Sequence, residues 1–243
     1  MSSYKVELIS QKEKNEIMFN LVTRELYQQK ANIHGTCIKL FTDNEDFAEM
    51  WQDNFKPMPE DIRPHGRVFA IGNGGKLKVL YEPISKTVII KNCDYYGWVK
   101  SIALALVADF FEDFLSEHRR YSIHGSFVDS AGQGIAIIGP SGSGKTTLTY
   151  GMLLDGRFNF LTDDWFFVRL ATNEIPVFSS ERNSYIREDL AQIWPQFRSK
   201  IENVKKDAKG RAIVEIRRIF GDDRIKESSA LKAVVLLRRE QGK

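Results

Sequence analysis

Apolar residues in the first part of the chain alternate between helical and extended spacing. Four large apolar residues recur every three or four positions and predict a helix, namely Phe47, Met50, Trp51 and Phe55. Thr42 is the expected N-cap of this helix, and Glu45 completes a capping box. A strand is predicted at 36–41, and the apolar residues at 76–81 and 87–91 predict a hairpin. These patterns indicate an α+β region.

Segment 98–115, with the sequence WVKSIALALVADFFEDFL, is nearly long enough to cross a membrane. Four charged residues interrupt it, namely Lys100, Asp109, Glu112 and Asp113. A spanning helix of about 20 residues tolerates few such charges. The segment therefore predicts a buried amphipathic helix, and no membrane partner is expected.

From Tyr121 onward the pattern changes to short apolar strands that alternate with turns and a helix. The predicted elements are strands at 121–129, 134–138 and 158–161 and a helix at 146–154. This order is typical of an α/β domain. The expected organisation is an α+β N-terminal region at 1–120 and an α/β domain at 121–243, with a boundary near residue 120.

Composition and charge narrow the functional classes. Hydrophobic residues make up 42% of the chain and charged residues 28%, which is ordinary for a globular protein. The net charge of +3 gives no support for a nucleic-acid partner or a membrane-surface role. Two cysteines without paired spacing favour a reducing compartment, and the N-terminus lacks the apolar run of a signal peptide. A cytoplasmic location is expected.

The strongest motif is a glycine-rich phosphate-binding loop between a predicted strand and a predicted helix. Its residues are Gly139, Pro140, Ser141, Gly142, Ser143, Gly144, Lys145 and Thr146, followed by Thr147. Glycines let backbone N–H groups surround phosphate oxygens, and the N-terminus of the following helix adds positive charge. Lys145 is expected to reach the β- and γ-phosphates, and the Thr146 hydroxyl is expected to hold Mg²⁺. The loop therefore predicts binding of a nucleoside triphosphate, with ATP as the expected one.

An adjacent pair of aspartates follows the loop. Asp163 and Asp164 come 18 and 19 residues after Lys145, at the end of the next predicted strand. Ligands of open α/β sheets bind at that edge. Phosphoryl transfer needs a carboxylate for the metal and often a second one to accept the hydroxyl proton. Without the nearby loop, the same pair would be typical of a turn or a helix cap.

Several motifs in order resemble the catalytic domain of bacterial HPr kinase/phosphorylase. The matching residues are His124-Gly125, Val128-Asp129, the loop at 139–146, Asp155-Gly156, Leu161-Thr162-Asp163-Asp164 and Val214-Glu215-Ile216-Arg217, followed by an apolar strand at 233–237. The resemblance covers about residues 121 to 237. It implies a P-loop kinase core of the HPr kinase and phosphoenolpyruvate carboxykinase type.

The resemblance also implies roles for individual residues. Asp163 corresponds to the catalytic base and Asp164 to a magnesium ligand beside Thr146. Glu215 is a further candidate metal ligand and Arg217 a candidate anion-binding residue. His124 is a candidate partner of the site. From the residues alone, Glu215 and Arg217 stand two apart in a predicted strand, so they are expected to share one face.

Three features depart from the family pattern. Arg218 stands where the family has the glycine of its Glu-Ile-Arg-Gly motif, which puts the acceptor-binding region in question. Residues 1–120 do not resemble the N-terminal domain of HPr kinase. The chain also ends soon after the strand at 233–237, where the family has further helices, so a short relative or a truncated chain is expected. The family suggests a homo-oligomer.

A basic segment precedes Glu215. Its charged residues are Lys200, Lys205, Lys206, Lys209 and Arg211. It is interpreted either as a solvated loop or as a lid that closes on phosphates or on an acidic acceptor.

Together these features predict a magnesium-dependent kinase that transfers the γ-phosphoryl group of ATP to a hydroxyl. The expected acceptor is a serine in a protein or peptide, or else a small molecule. Two alternatives are a nucleotide-binding scaffold without turnover and an NTP-hydrolysing motor subunit. The motor class usually carries a Leu-Ser-Gly-Gly-Gln signature, which the sequence lacks.

Overall fold

The computed structural model describes residues 4–72, 74–171, 173–207 and 209–238, with only the backbone of Ser116. The sequence Gly-Asn-Gly-Gly at 72–75 predicts a turn, and the expected truncation concerns the chain end at 239–243. Residue 73 of that turn and residues 239–243 lie outside the described residues. The chain divides into two compact units, one up to Phe110 and one from Phe111. The sequence-based boundary stands somewhat later, near residue 120. The structure is mixed α/β with more than one sheet.

The first unit is built on a mixed sheet. Its elements in chain order are β1 (Val6–Leu8), α1 (Gln11–Phe19), β2 (Tyr27–Ile33), β3 (Thr36–Thr42), α2 (Glu45–Asn54), β4 (Lys56–Pro57), β5 (Gly66–Ile71), β6 (Lys78–Glu82), β7 (Thr87–Lys91) and most of α3 (Tyr96–Asp113). The strand order is β1-β6-β7-β5-β3-β2-β4. The predicted strand at 36–41 and the antiparallel β6–β7 hairpin are both confirmed.

The predicted cap of α2 is wrong by two residues. Asn44 is the N-cap, and its side chain accepts a hydrogen bond from the Phe47 backbone N–H. Thr42 instead ends β3, where it pairs with Tyr27 and Ala70 of the neighbouring strands. Because Thr42 remains in the ladder, the helix begins only once the chain has left the sheet. The predicted capping box of Thr42 and Glu45 is therefore wrong as well, since Asn44 caps the helix and Glu45 is its first residue.

Helix α3 is the apolar segment that could be mistaken for a membrane span. Its Val99, Ala103 and Val107 are fully buried, and Lys100 is buried as well. The expectation of a buried helix is confirmed, although α3 begins at Tyr96 and stops at Asp113. Within the described residues, no helix is both long enough and apolar enough to traverse a bilayer.

The second unit contains a closed ring of strands. Its elements are α4 (Leu115–His118), β8 (Arg120–Ser130), β9 (Gln133–Ile138), α5 (Lys145–Leu153), β10 (Asn159–Thr162), β11 (Trp165–Arg169), β12 (Pro176–Ser179), β13 (Asn183–Ile186), α6 (Leu190–Ile193), α7 (Arg198–Ile201), β14 (Ala212–Glu215), α8 (Ile216–Phe220) and β15 (Ser228–Leu236). Pairing runs β8-β11-β12-β15-β9 and returns from β9 to β8. One apolar cluster unites side chains from these strands, among them Phe127, Ala136, Phe166, Val168 and Val177.

A second core connects α5 to a separate ribbon. Strands β13 and β14 form a separate two-stranded antiparallel ribbon. Tyr150 and Leu153 of α5 pack in one buried cluster with Ile186, Val214 and Ile216, which lie in or beside the ribbon. This shared core positions the ribbon next to the helix that follows the glycine-rich loop.

Candidate functional site

The glycine-rich loop connects β9 to α5, as expected from the sequence. β9 ends at Ile138 and α5 begins at Lys145. Gly142 and Gly144 have φ values of 80° and 98°, a backbone region that side chains with a Cβ rarely adopt. These two positions therefore require glycine for the loop to turn before the helix.

Lys145 lies inside the loop. Its side chain is mostly buried, and its Nζ donates to the carbonyl oxygens of Gly139 at 2.8 Å and Pro140 at 3.3 Å. Burial lowers the pKa of the Lys145 ammonium, and the charge of Asp164 opposes that shift. The ammonium is thus bound by the loop backbone and feels the negative charge of Asp164.

The aspartate pair lies between the end of β10 and the start of β11. β10 and β11 lie antiparallel along the same side of β8, with Thr162 opposite Phe127 and Trp165 opposite His124. Asp163 and Asp164 fill the interval, and the Gly125 N–H donates to the Asp164 carbonyl at 2.9 Å. The pair therefore follows the end of a strand, as predicted, but the expected open sheet is not found, because β10 and β11 both pair antiparallel with β8 of the closed ring.

The two aspartates differ in their surroundings. Asp163 is 8% exposed, and its negative charge adds to burial in raising the pKa of Tyr150 well above its ordinary value. Asp164 is more accessible, and its Oδ1 lies 3.2 Å from Nε2 of His124. The His124 ring stacks on Trp165 with a centroid separation of 5.9 Å. One aspartate is therefore enclosed, and the other is oriented by a histidine.

Most of the predicted site residues share one cavity of about 720 Å³. Ser141 to Thr147 line it together with His124, Asp163 and Asp164. Gly139 and Pro140 are not in its lining but bind the Lys145 ammonium. The loop and the aspartate pair therefore face the same space.

Glu215 and Arg217 do not line this cavity. Their expected placement on one face of a strand is wrong, because β14 ends at Glu215 and Arg217 belongs to α8. Burial of Ile216 in the Tyr150 cluster accompanies this turn of the chain.

Both side chains have ion-pair partners in the structure. Glu215 pairs with Arg218 at 3.1 Å and with Arg182 at 3.6 Å. Arg217 pairs with Asp222 at 3.0 Å. Arg218, which departs from the family pattern, thus binds the same carboxylate that the resemblance offers as a metal ligand.

The β13–β14 ribbon brings two arginines to the cavity. Ile186 pairs with Ala212, so Arg187 and Arg211 follow at the same end of the ribbon. Both line the cavity. The Arg211 Nε donates to Asp207 at 2.8 Å, and its guanidinium lies 5.1 Å from the centroid of the Tyr185 ring. Arg211 was predicted only as part of the basic segment, and Arg187 and Tyr185 were not predicted.

The remaining basic residues do not converge on the cavity. Lys200 lies in α7 and donates to the Ile219 carbonyl at 2.6 Å, while Lys206 pairs with Glu188. The basic segment therefore contributes one cation, Arg211, to the cavity lining. No local motif marks the ribbon, since its two strands are far apart in sequence.

The oxygen donors at the cavity are hard ligands. The side chains of Thr146, Asp163 and Asp164 supply hydroxyl and carboxylate oxygens, which suit Mg²⁺. In the described part of the chain, no three His, Cys, Asp or Glu residues are grouped so that they could hold a metal. A metal at this place would therefore need oxygens from phosphate and water as well.

Comparisons with known proteins agree with the motifs. No family model matches the chain. The chain is 31% identical over 139 residues to HPr kinase/phosphorylase of Variovorax paradoxus (strain S110), which covers 56% of this chain and 38% of the relative. It is 29% identical over 144 residues to that of Cupriavidus metallidurans, with 58% of this chain and 39% of the relative covered. It is 27% identical over 135 residues to HPr kinase/phosphorylase of Chlorobium limicola, with 56% of this chain and 35% of the relative covered.

A solved structure, the HPr(Ser) kinase/phosphatase from Coxiella burnetii, matches with a TM-score of 0.37 and 14% identity, over 50% of this chain and 68% of that one. The chain spans less than two-fifths of the length of the curated relatives above. The similarity to HPr kinase/phosphorylases that the motifs indicate is confirmed.

Proposed function

We propose that this HPr kinase-like chain is an ATP- and magnesium-dependent kinase, with the P-loop core and the activity in the second unit. It transfers the γ-phosphoryl group to a hydroxyl of a protein, peptide or small molecule, with a serine as the expected acceptor. One observation carries the proposal: the glycine-rich loop and the aspartate pair line the same cavity. The relatives are named for HPr, so HPr is the first acceptor to test.

Asp163 is the proposed base. Its carboxylate lies in the cavity and is 8% exposed, so few waters compete for the proton of the acceptor hydroxyl. A base acts by taking that proton as the oxygen attacks the γ-phosphorus. Positioning and charge neutralisation supply most of the remaining barrier reduction in phosphoryl transfer.

Asp164 and Thr146 are the proposed magnesium ligands. Both line the cavity, and His124 lies within hydrogen-bonding distance of Asp164 and can orient its carboxylate. When bound, Mg²⁺ would neutralise charge on the phosphate oxygens. Glu215 is not proposed as a third magnesium ligand, since it pairs with Arg218 and Arg182 and does not line the cavity.

Three cations line the cavity and are the proposed contacts of the triphosphate. Lys145, Arg187 and Arg211 line the cavity, whereas Arg217 does not. We therefore propose that Arg187 and Arg211, and not Arg217, stabilise the phosphate charge. Asp207 and Tyr185 hold Arg211 in place, so its guanidinium is positioned at the cavity before a phosphate arrives.

The test uses γ-labelled ATP with magnesium, purified HPr and, in a parallel reaction, a cell extract. Wild-type protein should label a serine of an acceptor, and Asp163→Asn should label it far more slowly at the same nucleotide occupancy. Binding of ATP without labelling under any condition would favour the scaffold. Steady release of inorganic phosphate without an acceptor would favour an NTP-hydrolysing protein.

A further inference from the structure

An apolar wall lines the part of the cavity that α5 and α6 form. We define it as Leu148, Leu190, Ile193 and Trp194. Leu148 and Ile193 are 36% and 52% exposed, although both are large apolar side chains. Such residues grouped at the edge of a cavity with polar groups are typical of a ligand contact surface.

The apolar wall is held against the helix that follows the loop. The Trp194 indole N–H donates to the Thr147 carbonyl at 2.9 Å. The indole also packs on Gly151, where a Cβ would lie 2.5 Å from its Cζ2 atom. Thr147 and Gly151 are one turn apart on α5. The indole is therefore fixed at two points, and its neighbour Ile193 is kept beside the loop.

The orientation of a bound nucleotide follows from the proposed function, on which this inference rests. Transfer to an acceptor requires the γ-phosphoryl group to face Asp163, with Lys145 and Thr146 at the β- and γ-phosphates. The nucleoside must then extend away from the aspartates. Leu148 on the first turn of α5 and Trp194, which donates to the Thr147 carbonyl, line the cavity next to the loop and are the surface we assign to the nucleoside.

We propose that the apolar wall binds the purine base of the nucleotide by its flat face. The cationic side chains of the cavity would bind the triphosphate, and the apolar wall lines another part of the same cavity. An aromatic base gains by covering exposed apolar side chains, in proportion to the area removed from water. The wall therefore contributes affinity that a triphosphate without a base cannot obtain.

The wall lacks groups that read base edges. The side chains of Leu148, Leu190 and Ile193 carry no hydrogen-bonding atoms, and the indole N–H of Trp194 donates to the Thr147 carbonyl. The nearby Arg187 and Asp189 pair with each other at 3.2 Å. Apolar sites discriminate weakly between similar ligands, whereas sites built to hydrogen-bond discriminate strongly. ATP and GTP should therefore bind with affinities within about tenfold of each other.

The experiment measures dissociation constants by calorimetry for ATP, GTP and inorganic tripolyphosphate, each with magnesium. The variant is Ile193→Ser, and Leu154→Ser is the control because Leu154 is similarly exposed, at 39%, but does not line the cavity. Ile193→Ser should weaken the binding of ATP and GTP by about three- to tenfold, because apolar contact area is lost. The affinity for tripolyphosphate should stay unchanged. The control should bind all three like wild type.

The outcomes separate this inference from the function beneath it. Equal affinity of wild type for ATP and tripolyphosphate would overturn the base site while leaving the phosphate loop intact. The base site would also be overturned if Ile193→Ser lost as much affinity for tripolyphosphate as for ATP. A preference of wild type for ATP over GTP of about a hundredfold or more would overturn it too. If none of the three ligands binds wild type, the proposed kinase function fails, and the base site fails with it.

Discussion

Nε2 of His124 lies 3.2 Å from Oδ1 of Asp164, and the Gly125 N–H donates to the Asp164 carbonyl. One short stretch of β8 thus contacts both the side chain and the backbone of this aspartate. The His124 ring is in turn stacked on Trp165, the residue that follows Asp164. The position of the carboxylate is therefore determined by β8 and not by the turn alone.

We expect His124→Phe to weaken the effect of magnesium on ATP binding. Phenylalanine keeps an aromatic ring beside Trp165 and loses the polar contact with Asp164. Loss of a residue that orients a metal ligand costs about 10- to 100-fold in metal affinity or activity. Magnesium titrations of ATP binding measure this, with His124→Gln as the variant that retains a donor. Superimposable titrations for wild type and His124→Phe would refute the positioning role.

Lys145→Ala should weaken ATP binding about 10- to 100-fold, because charge-assisted hydrogen bonds contribute about 1.5–3 kcal/mol. The ammonium lies within the loop, where it binds the Gly139 and Pro140 carbonyls. Calorimetry with ATP checks the expectation. Lys232→Ala is the control, since Lys232 is exposed on β15 and does not line the cavity. An unchanged affinity in Lys145→Ala would remove the nucleotide assignment of the loop.

Asp164→Asn and Glu215→Gln should differ in their response to magnesium. Asp164 lines the cavity, whereas Glu215 pairs with Arg218 and Arg182. We expect Asp164→Asn to reduce the tightening of ATP binding by magnesium about tenfold or more. Glu215→Gln should behave like wild type. The same titration decides between them, and a larger effect in Glu215→Gln would restore that residue as a ligand.

Asp163→Asn should bind ATP normally and transfer phosphate slowly. Asparagine keeps the shape of the side chain and cannot accept a proton. General-base contributions are about 10²–10⁴ in rate, or about 3–5 kcal/mol of barrier. Single-turnover transfer at saturating ATP measures the step without interference from binding. Transfer at the wild-type rate would exclude Asp163 as the base.

Gly125→Ala should destabilise the second unit by about 1–3 kcal/mol, the usual range for overpacking. A Cβ at this position would lie 2.8 Å from the Ile137 carbonyl oxygen and 3.2 Å from the Phe166 ring. Gly156→Ala is the matched control, because apart from its two chain neighbours no residue lies within 4 Å of a Cβ there. Urea unfolding followed by tryptophan fluorescence gives both values. Equal midpoints for the two variants would show that β8 can move away from β9 without cost.

The sequence alone determined the features that depend on neighbouring residues. The spacing of Gly139, Gly142 and Gly144 before Lys145 predicts a phosphate loop because a strand and a helix flank it. The hairpin of β6 and β7 was likewise predicted, since its two strands are separated by a short turn. The similarity to HPr kinase/phosphorylases also follows from short motifs in a particular order.

Only the tertiary structure decided what distant segments contribute. Arg187 and Arg211 reach the cavity because β13 and β14 pair across a long intervening segment, and no local pattern records that pairing. Glu215 and Arg217 leave the predicted strand because the chain turns into α8 where Ile216 enters the core around Tyr150. Periodicity reports which side of an element is apolar, but the packing partner decides where the element ends.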